Sequence, residues 1–135
     1  MHTTNYTNTL IEVAEDCPAI QGEIPPEGKQ RSMAILQFEM IEKSPYKYTS
    51  DEVLFSVYAT RKDISNSDWE EERINFFSKG QPCFRASPLT KRYGWGVHSD
   101  GEGRIAIYGR ESEEYKQLIA DPATKKVKAM RSRRK

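Results

Sequence analysis

FFSKGQPCFRASPLTKRYGWGVHSDGEGRIAIYG, running from Phe76 to Gly109, decides the fold of this chain. It holds a helix end, an irregular basic loop and the clearest β-hairpin in the sequence. Asp100-Gly101-Glu102-Gly103 is turn chemistry, because glycine tolerates the positive φ that tight reversals demand. Strand-like segments flank it, Tyr93 to His98 and Arg104 to Tyr108. A loop of Asp100 to Glu102 pairs Ser99 with Gly103, His98 with Arg104 and Val97 with Ile105. Further out, Trp95 meets Ile107 and Gly94 meets Tyr108. Side chains alternate along a strand, so one face reads Tyr93, Trp95, Val97, Ile105, Ile107 and belongs to a core. The other face reads Gly94, Gly96, His98, Arg104, Ala106, Tyr108: a glycine floor rimmed by His98, Arg104 and Tyr108. A slip of one residue would mix apolar and charged positions on each face, which argues against it. Glycine inside a strand packs nothing. It marks a bulge, a crossing chain segment or the approach of a ligand, and all three stay open for this floor.

The chain is 135 residues long, enough for one domain with a real core and no need of disulfides or metal. Charged residues make up 30% and hydrophobic ones 36%, the balance of a soluble protein. No apolar run approaches the length that spans a bilayer, and MHTTNYTNTL has neither the basic nor the apolar region of a secretory signal. The expected location is the cytoplasm. There the two widely spaced cysteines, Cys17 and Cys83, are expected as free thiols. The net charge of +1 conceals an asymmetry, because Lys125, Lys126, Lys128, Arg131, Arg133, Arg134 and Lys135 crowd the end of the chain. The expected organisation is a single globular domain over residues 1–122 and a basic tail over 123–135. The tail reads as loosely ordered, with Val127, Ala129 and Met130 as its docking candidates.

Ahead of the hairpin, Thr9 to Glu15 alternates as a strand and Cys17-Pro18 ends it; the Pro-rich loop that follows runs to Lys29. Ser32 to Lys43 is a first helix, with Met33, Leu36, Met40 and Ile41 as its apolar stripe and Ser44-Pro45 as its stop. Thr49 and Glu52 form a capping box for a second helix through Val53, Leu54, Val57 and Tyr58, although its β-branched and aromatic residues are also compatible with a strand. Ser67 and Glu70 spell a second box, opening a third helix that Lys79-Gly80 closes. Pro82 and Pro88 make the next segment irregular, with Cys83 to Ala86 as a candidate edge strand. Ser112 caps a fourth helix that Asp121-Pro122 ends.

Chemistry is sparse. Two isolated cysteines, His2 and His98 do not make a metal site, no phosphate-cradling loop is present, and no cofactor is expected. Cys83 with His98 resembles a nucleophile and base. Yet Cys83 follows a helix C-terminus, and a buried structural cysteine is the expectation. Arg85, Lys91 and Arg92 are the residue types that hold phosphate or carboxylate. KRYGWGVH partly echoes the aromatic signature of RNA-recognition sheets, but Arg92 and Gly96 miss it and Tyr93 and Trp95 read as core.

The stretches HTTNYTNTLIEVAEDCP, PYKYTSDEVLF, FFSKGQPCFRASPLTKRYGWG and AMRSRRK resemble a family of small bacterial proteins known as a domain of unknown function. The resemblance covers nearly the whole chain, with SKGQPC and SPLTKRYGWG as its most specific part. It implies one domain and carries over no catalytic residue.

The reading is therefore an α+β domain, a small antiparallel sheet of N-terminal strand and hairpin packed by three or four helices. Its leading function is a binding module for a small anionic ligand, with Arg85, Lys91, Arg92, Gly94, Gly96, His98, Arg104 and Tyr108 as the site. Nucleic-acid or acidic-partner binding through the tail is the alternative, and a thiol enzyme using Cys83 the third; no membrane partner is expected.

Overall fold

The hairpin forms half of a four-stranded sheet in the computed structural model, which describes residues 1–28 and 31–132. The chain runs β1 (Thr9–Glu12), α1 (Met33–Lys43), α2 (Ser50–Arg61), α3 (Trp69–Phe77), α4 (Pro88–Lys91), β2 (Trp95–Ser99), β3 (Ile105–Gly109), α5 (Glu113–Ala120) and β4 (Lys125–Lys128). Strand order is β3-β2-β1-β4. The first three strands are antiparallel neighbours, and β4 lies parallel to β1 with Ile11 beside Val127. The fold is α+β, as expected, but the sheet is mixed because the basic tail supplies its last strand.

The hairpin register differs from the expected one by two residues. Val97 pairs with Ile107 and Ser99 with Ile105. The loop is longer because the Asp100 carboxylate accepts from the backbone of both Glu102 and Arg104, at 2.9 Å each, and Gly103 adopts φ +80°. Arg104 O still accepts from Asp100 N at 2.9 Å, and Arg104 also bridges to Thr49. An even shift preserves the faces, so Trp95, Val97, Ile105 and Ile107 still share one side. Tyr93 and Gly94 precede the strand: Gly94 has φ +79°, a turn that glycine permits cheaply.

That side packs on α1 and α2. Ile11, Val97 and Ile105 from the sheet meet Ile35, Phe38 and Ile41 of α1 and Val53 and Val57 of α2. The buried stripe of α1 is Ala34, Ile35, Phe38 and the expected Ile41; of the other expected residues, Met33 is exposed, and Leu36 and Met40 are half-buried against the core. Ser32 caps α1 and the Thr49–Glu52 box caps α2, both as the local sequence dictates. The second box does not form. Asn66–Asp68 turn in a tighter 3-10 helix, Asp68 makes no cap bond, and α3 ends at Phe77, short of Lys79-Gly80. α3 packs outside α2 through Phe55, Ala59 and Phe77.

Pro88 begins a helix instead of preventing one. It stands in the first turn of α4, where a missing N–H costs nothing, with Ser87 as the cap. Phe84–Ala86 is a 3-10 turn, not an edge strand. The opposite face of the sheet is covered by α5, where Tyr115 joins Leu10 and Val13 in a second small core. No helix among the described residues is long and apolar enough to cross a membrane.

Candidate functional site

The glycine floor is occupied. A Cβ added at Gly96 would lie 2.8 Å from Tyr115 Cδ2 and closer still to Cε2. The ring is anchored there, its hydroxyl accepting from Val13 N at 3.0 Å. A Cβ added at Gly94 would likewise meet the backbone of Gln21, 2.9 Å from its carbonyl carbon. Of the three expectations for this floor, the structure shows the crossing chain segment.

Two rim residues do meet. The hydroxyl of Tyr46 lies 2.8 Å from His98 Nδ1 and 2.9 Å from the hydroxyl of Tyr108. Burial lowers the His98 pKa from its ordinary value, against the opposing pull of Asp100 and Asp121. Burial first, then the Tyr108 hydroxyl, pushes Tyr46 up, so its phenol stays protonated. Tyr46 has φ +58°, a left-handed conformation that costs a non-glycine residue about 1–3 kcal/mol. Its amide is held by Ile105 O at 2.8 Å. This cluster pins the 44–49 turn to the hairpin. PYKY gives no local hint of it, because the partners come from a distant strand.

The other expected residues are dispersed. Arg85 donates from Nε to Lys128 O at 2.7 Å, at the β4 edge. Tyr108 is on β3, three strand spacings away, or about 14 Å. Lys91 and Arg92 end α4, with Arg92 exposed, and Arg104 is exposed at its bridge to Thr49. In the tail, Lys126 Nζ donates to the carbonyl oxygens of Asp121 and Thr124 and Ala129 is buried. Arg133, Arg134 and Lys135 lie outside the described residues, as does Lys29.

The larger concavity is elsewhere. A groove of about 840 Å³ opens between α1, α2 and the 81–87 segment. Leu36, Leu54, Val57 and Phe76 give it apolar walls, and Met33 stands at its side. Its volume falls within the usual range of small-molecule sites. Gln37 lines it from the middle of α1 and is fully buried. Ser87 Oγ accepts from Leu89 N and donates to Gln37 Oε1 at 2.7 Å, which orients the amide. Gln37 Nε2 is then left buried with no hydrogen-bond partner among the described residues. Burying an amide donor unpaired costs roughly 1–3 kcal/mol, so folding alone does not explain this one. Arg61 and Lys62 stand exposed on the rim, neither in an ion pair among the described residues. Arg31, also on the rim, is spoken for by Glu27 and Glu39.

Cys83 lines the same groove and is half-exposed, contrary to the expectation of a buried thiol. α3 ends at Phe77, well before Cys83 in the chain. Cys83 instead heads the 3-10 turn and accepts from Arg85 N at 3.4 Å. Sequence reasoning missed Gln37, though a signal existed: it repeats at helical spacing with buried Ala34 and Ile41, a polar residue at a core position. No group of three or more potential metal ligands occurs among the described residues.

Fold and groove together define a class: a small α+β domain with an apolar-walled, partly cationic cleft between its helices. The chain belongs to a family of unknown function (DUF6157), whose model matches residues 1–135. Neither a curated protein nor a solved structure matches it.

Proposed function

We propose that this protein is a binding module for a small organic anion, seated in the α1–α2 groove. The ligand class is the one the sequence leads to; the seat differs, because Tyr115 fills the glycine floor. The observation that carries the reading is Gln37 Nε2. A buried donor without an acceptor is a standing cost, and a ligand oxygen placed beside it removes that cost. Apolar walls favour an apolar or peptide-like body, while Arg61 and Lys62 favour a carboxylate or phosphate head. The ligand thus carries an acceptor oxygen within its body and an anionic end.

N-octanoylglycine has this chemistry, and its neutral amide is the matched control for charge. Titrating each into isotopically labelled protein should move the backbone amide signals of Leu36, Gln37, Val57 and Cys83. The acid should bind more tightly than the amide, and Arg61→Ala with Lys62→Ala should erase the difference. Signals that move only around Tyr46, His98 and Tyr108, or not at all at millimolar ligand, would overturn the reading.

A further inference from the structure

Cys83 adds a nucleophile to the groove's wall. Its sulfur has two potential donors, Arg85 N at 3.4 Å and the hydroxyl of Tyr6 at 3.7 Å. Burial raises the pKa of Tyr6, with Cys83 beside it adding to the effect and Arg85 opposing it, so the phenol remains a donor at neutral pH. A thiolate formed at Cys83 therefore meets two hydrogen-bond donors on the protein side and the open groove on the other. Gln37 lines the same groove, and its buried Nε2, without a partner among the described residues, points independently to a ligand with an acceptor oxygen. A peptide carbonyl is such an acceptor, and peptide carboxylates suit Arg61 and Lys62.

We infer that Cys83 is a covalent anchor for a peptide-like low-molecular-weight thiol, captured from its disulfide in this groove. The inference rests on the groove being a ligand site. In the step, the Cys83 thiol gives its proton to solvent and the thiolate attacks one sulfur of the bound disulfide. The disulfide's own S–S bond breaks as the bond to Cys83 Sγ forms. The other half leaves as a thiolate and takes up a proton, so Cys83 is oxidised and the departing thiol is reduced. Cys17 does not line the groove; its Sγ–H points to Ala19 O at 3.8 Å and its side chain packs against the core. With no other cysteine in the chain to resolve the adduct, it persists until an external thiol removes it.

The test exposes the full-length protein at pH 7 to oxidised glutathione, which carries carboxylates, and separately to bis(2-hydroxyethyl) disulfide, which is neutral. Peptide mapping by mass spectrometry then reads the adduct at each cysteine over time. Oxidised glutathione should modify Cys83 at least tenfold faster than Cys17. Its advantage over the neutral disulfide should fall at least fivefold with Arg61→Ala and Lys62→Ala, both exposed positions that leave the core untouched. N-octanoylglycine should protect Cys83 in the unaltered protein. Equal rates at the two cysteines, or a Cys83 rate blind to charge and to the competitor, overturn the inference. If N-octanoylglycine binds the groove while Cys83 stays inert, the thiol role alone fails. If it does not bind and Cys83 reacts indiscriminately, the groove reading fails with it.

Discussion

Gly96→Ala adds one methyl group where the structure leaves no space for it. The new Cβ would press on the edge of the Tyr115 ring, 2.8 Å from Cδ2, and would stand 3.3 Å from Ile11 O. Backbone on one side cannot yield, so the ring must move. Overpacking of this kind costs about 1–3 kcal/mol. Moving the ring also pulls its hydroxyl from Val13 N, a buried donor at 3.0 Å, which adds roughly 1–3 kcal/mol if left unpaired. Some relaxation offsets both, leaving a total of about 2–5 kcal/mol. With a urea slope of about 1–3 kcal/mol per molar, the unfolding midpoint should fall by roughly 1–3 M. Tyr115→Ala removes the obstacle, so in that background Gly96→Ala should cost at least ~1 kcal/mol less than in the parent, a coupling that a double-mutant cycle measures. A Gly96→Ala variant with the parent's midpoint would refute the claim that α5 closes this face.

Two further outcomes follow from the same structure. His98 has a folded pKa below its unfolded value, so the unfolded chain binds more protons in the window below about pH 6.5. Stability should be full above that window and fall as the pH drops toward the folded pKa; urea midpoints at pH 7.5, 6.5 and 5.5 should decline more steeply for the parent than for His98→Gln, and equal slopes would deny His98 this part. Truncation after Thr124 removes β4 with the core contacts of Val127 and Ala129, and should cost about 3–5 kcal/mol from lost apolar burial and ladder hydrogen bonds. Unchanged thermal unfolding of the truncated chain would mean that the tail is not part of the sheet.

Much of this was legible in the sequence where the determining interactions are local. The two hairpin faces follow from alternation, which survives a register change of two. The Thr49–Glu52 box needs only four consecutive residues, and it forms. The hairpin's loop length was not legible, because the backbone of Ile105 is also held by Tyr46 and Tyr48, from a distant turn. Nor was β4: KKVK reads as a solvated tail, yet a lysine-rich strand suits a sheet edge, where charge discourages further pairing. The candidate site was the least legible part. His98 and Tyr108 meet through the hydroxyl of Tyr46, from the loop before α2, which no signal in the sequence places there. Gln37 gains its meaning from which side of α1 faces the sheet, and the wrong stripe of Met33, Leu36 and Met40 concealed it. Met33 and Leu36 also line the groove.

Gln37→Met tests the groove most directly, because it removes the unpaired donor and keeps the side chain's bulk. An ordinary hydrogen-bonded buried glutamine would be missed by the fold. Here the relief of an unsatisfied amide offsets the lost bond to Ser87, so stability should stay within about 1 kcal/mol of the parent or exceed it. Calorimetric titration with N-octanoylglycine on that intact variant should show at least a tenfold weaker affinity. Binding as tight as the parent's would contradict the account.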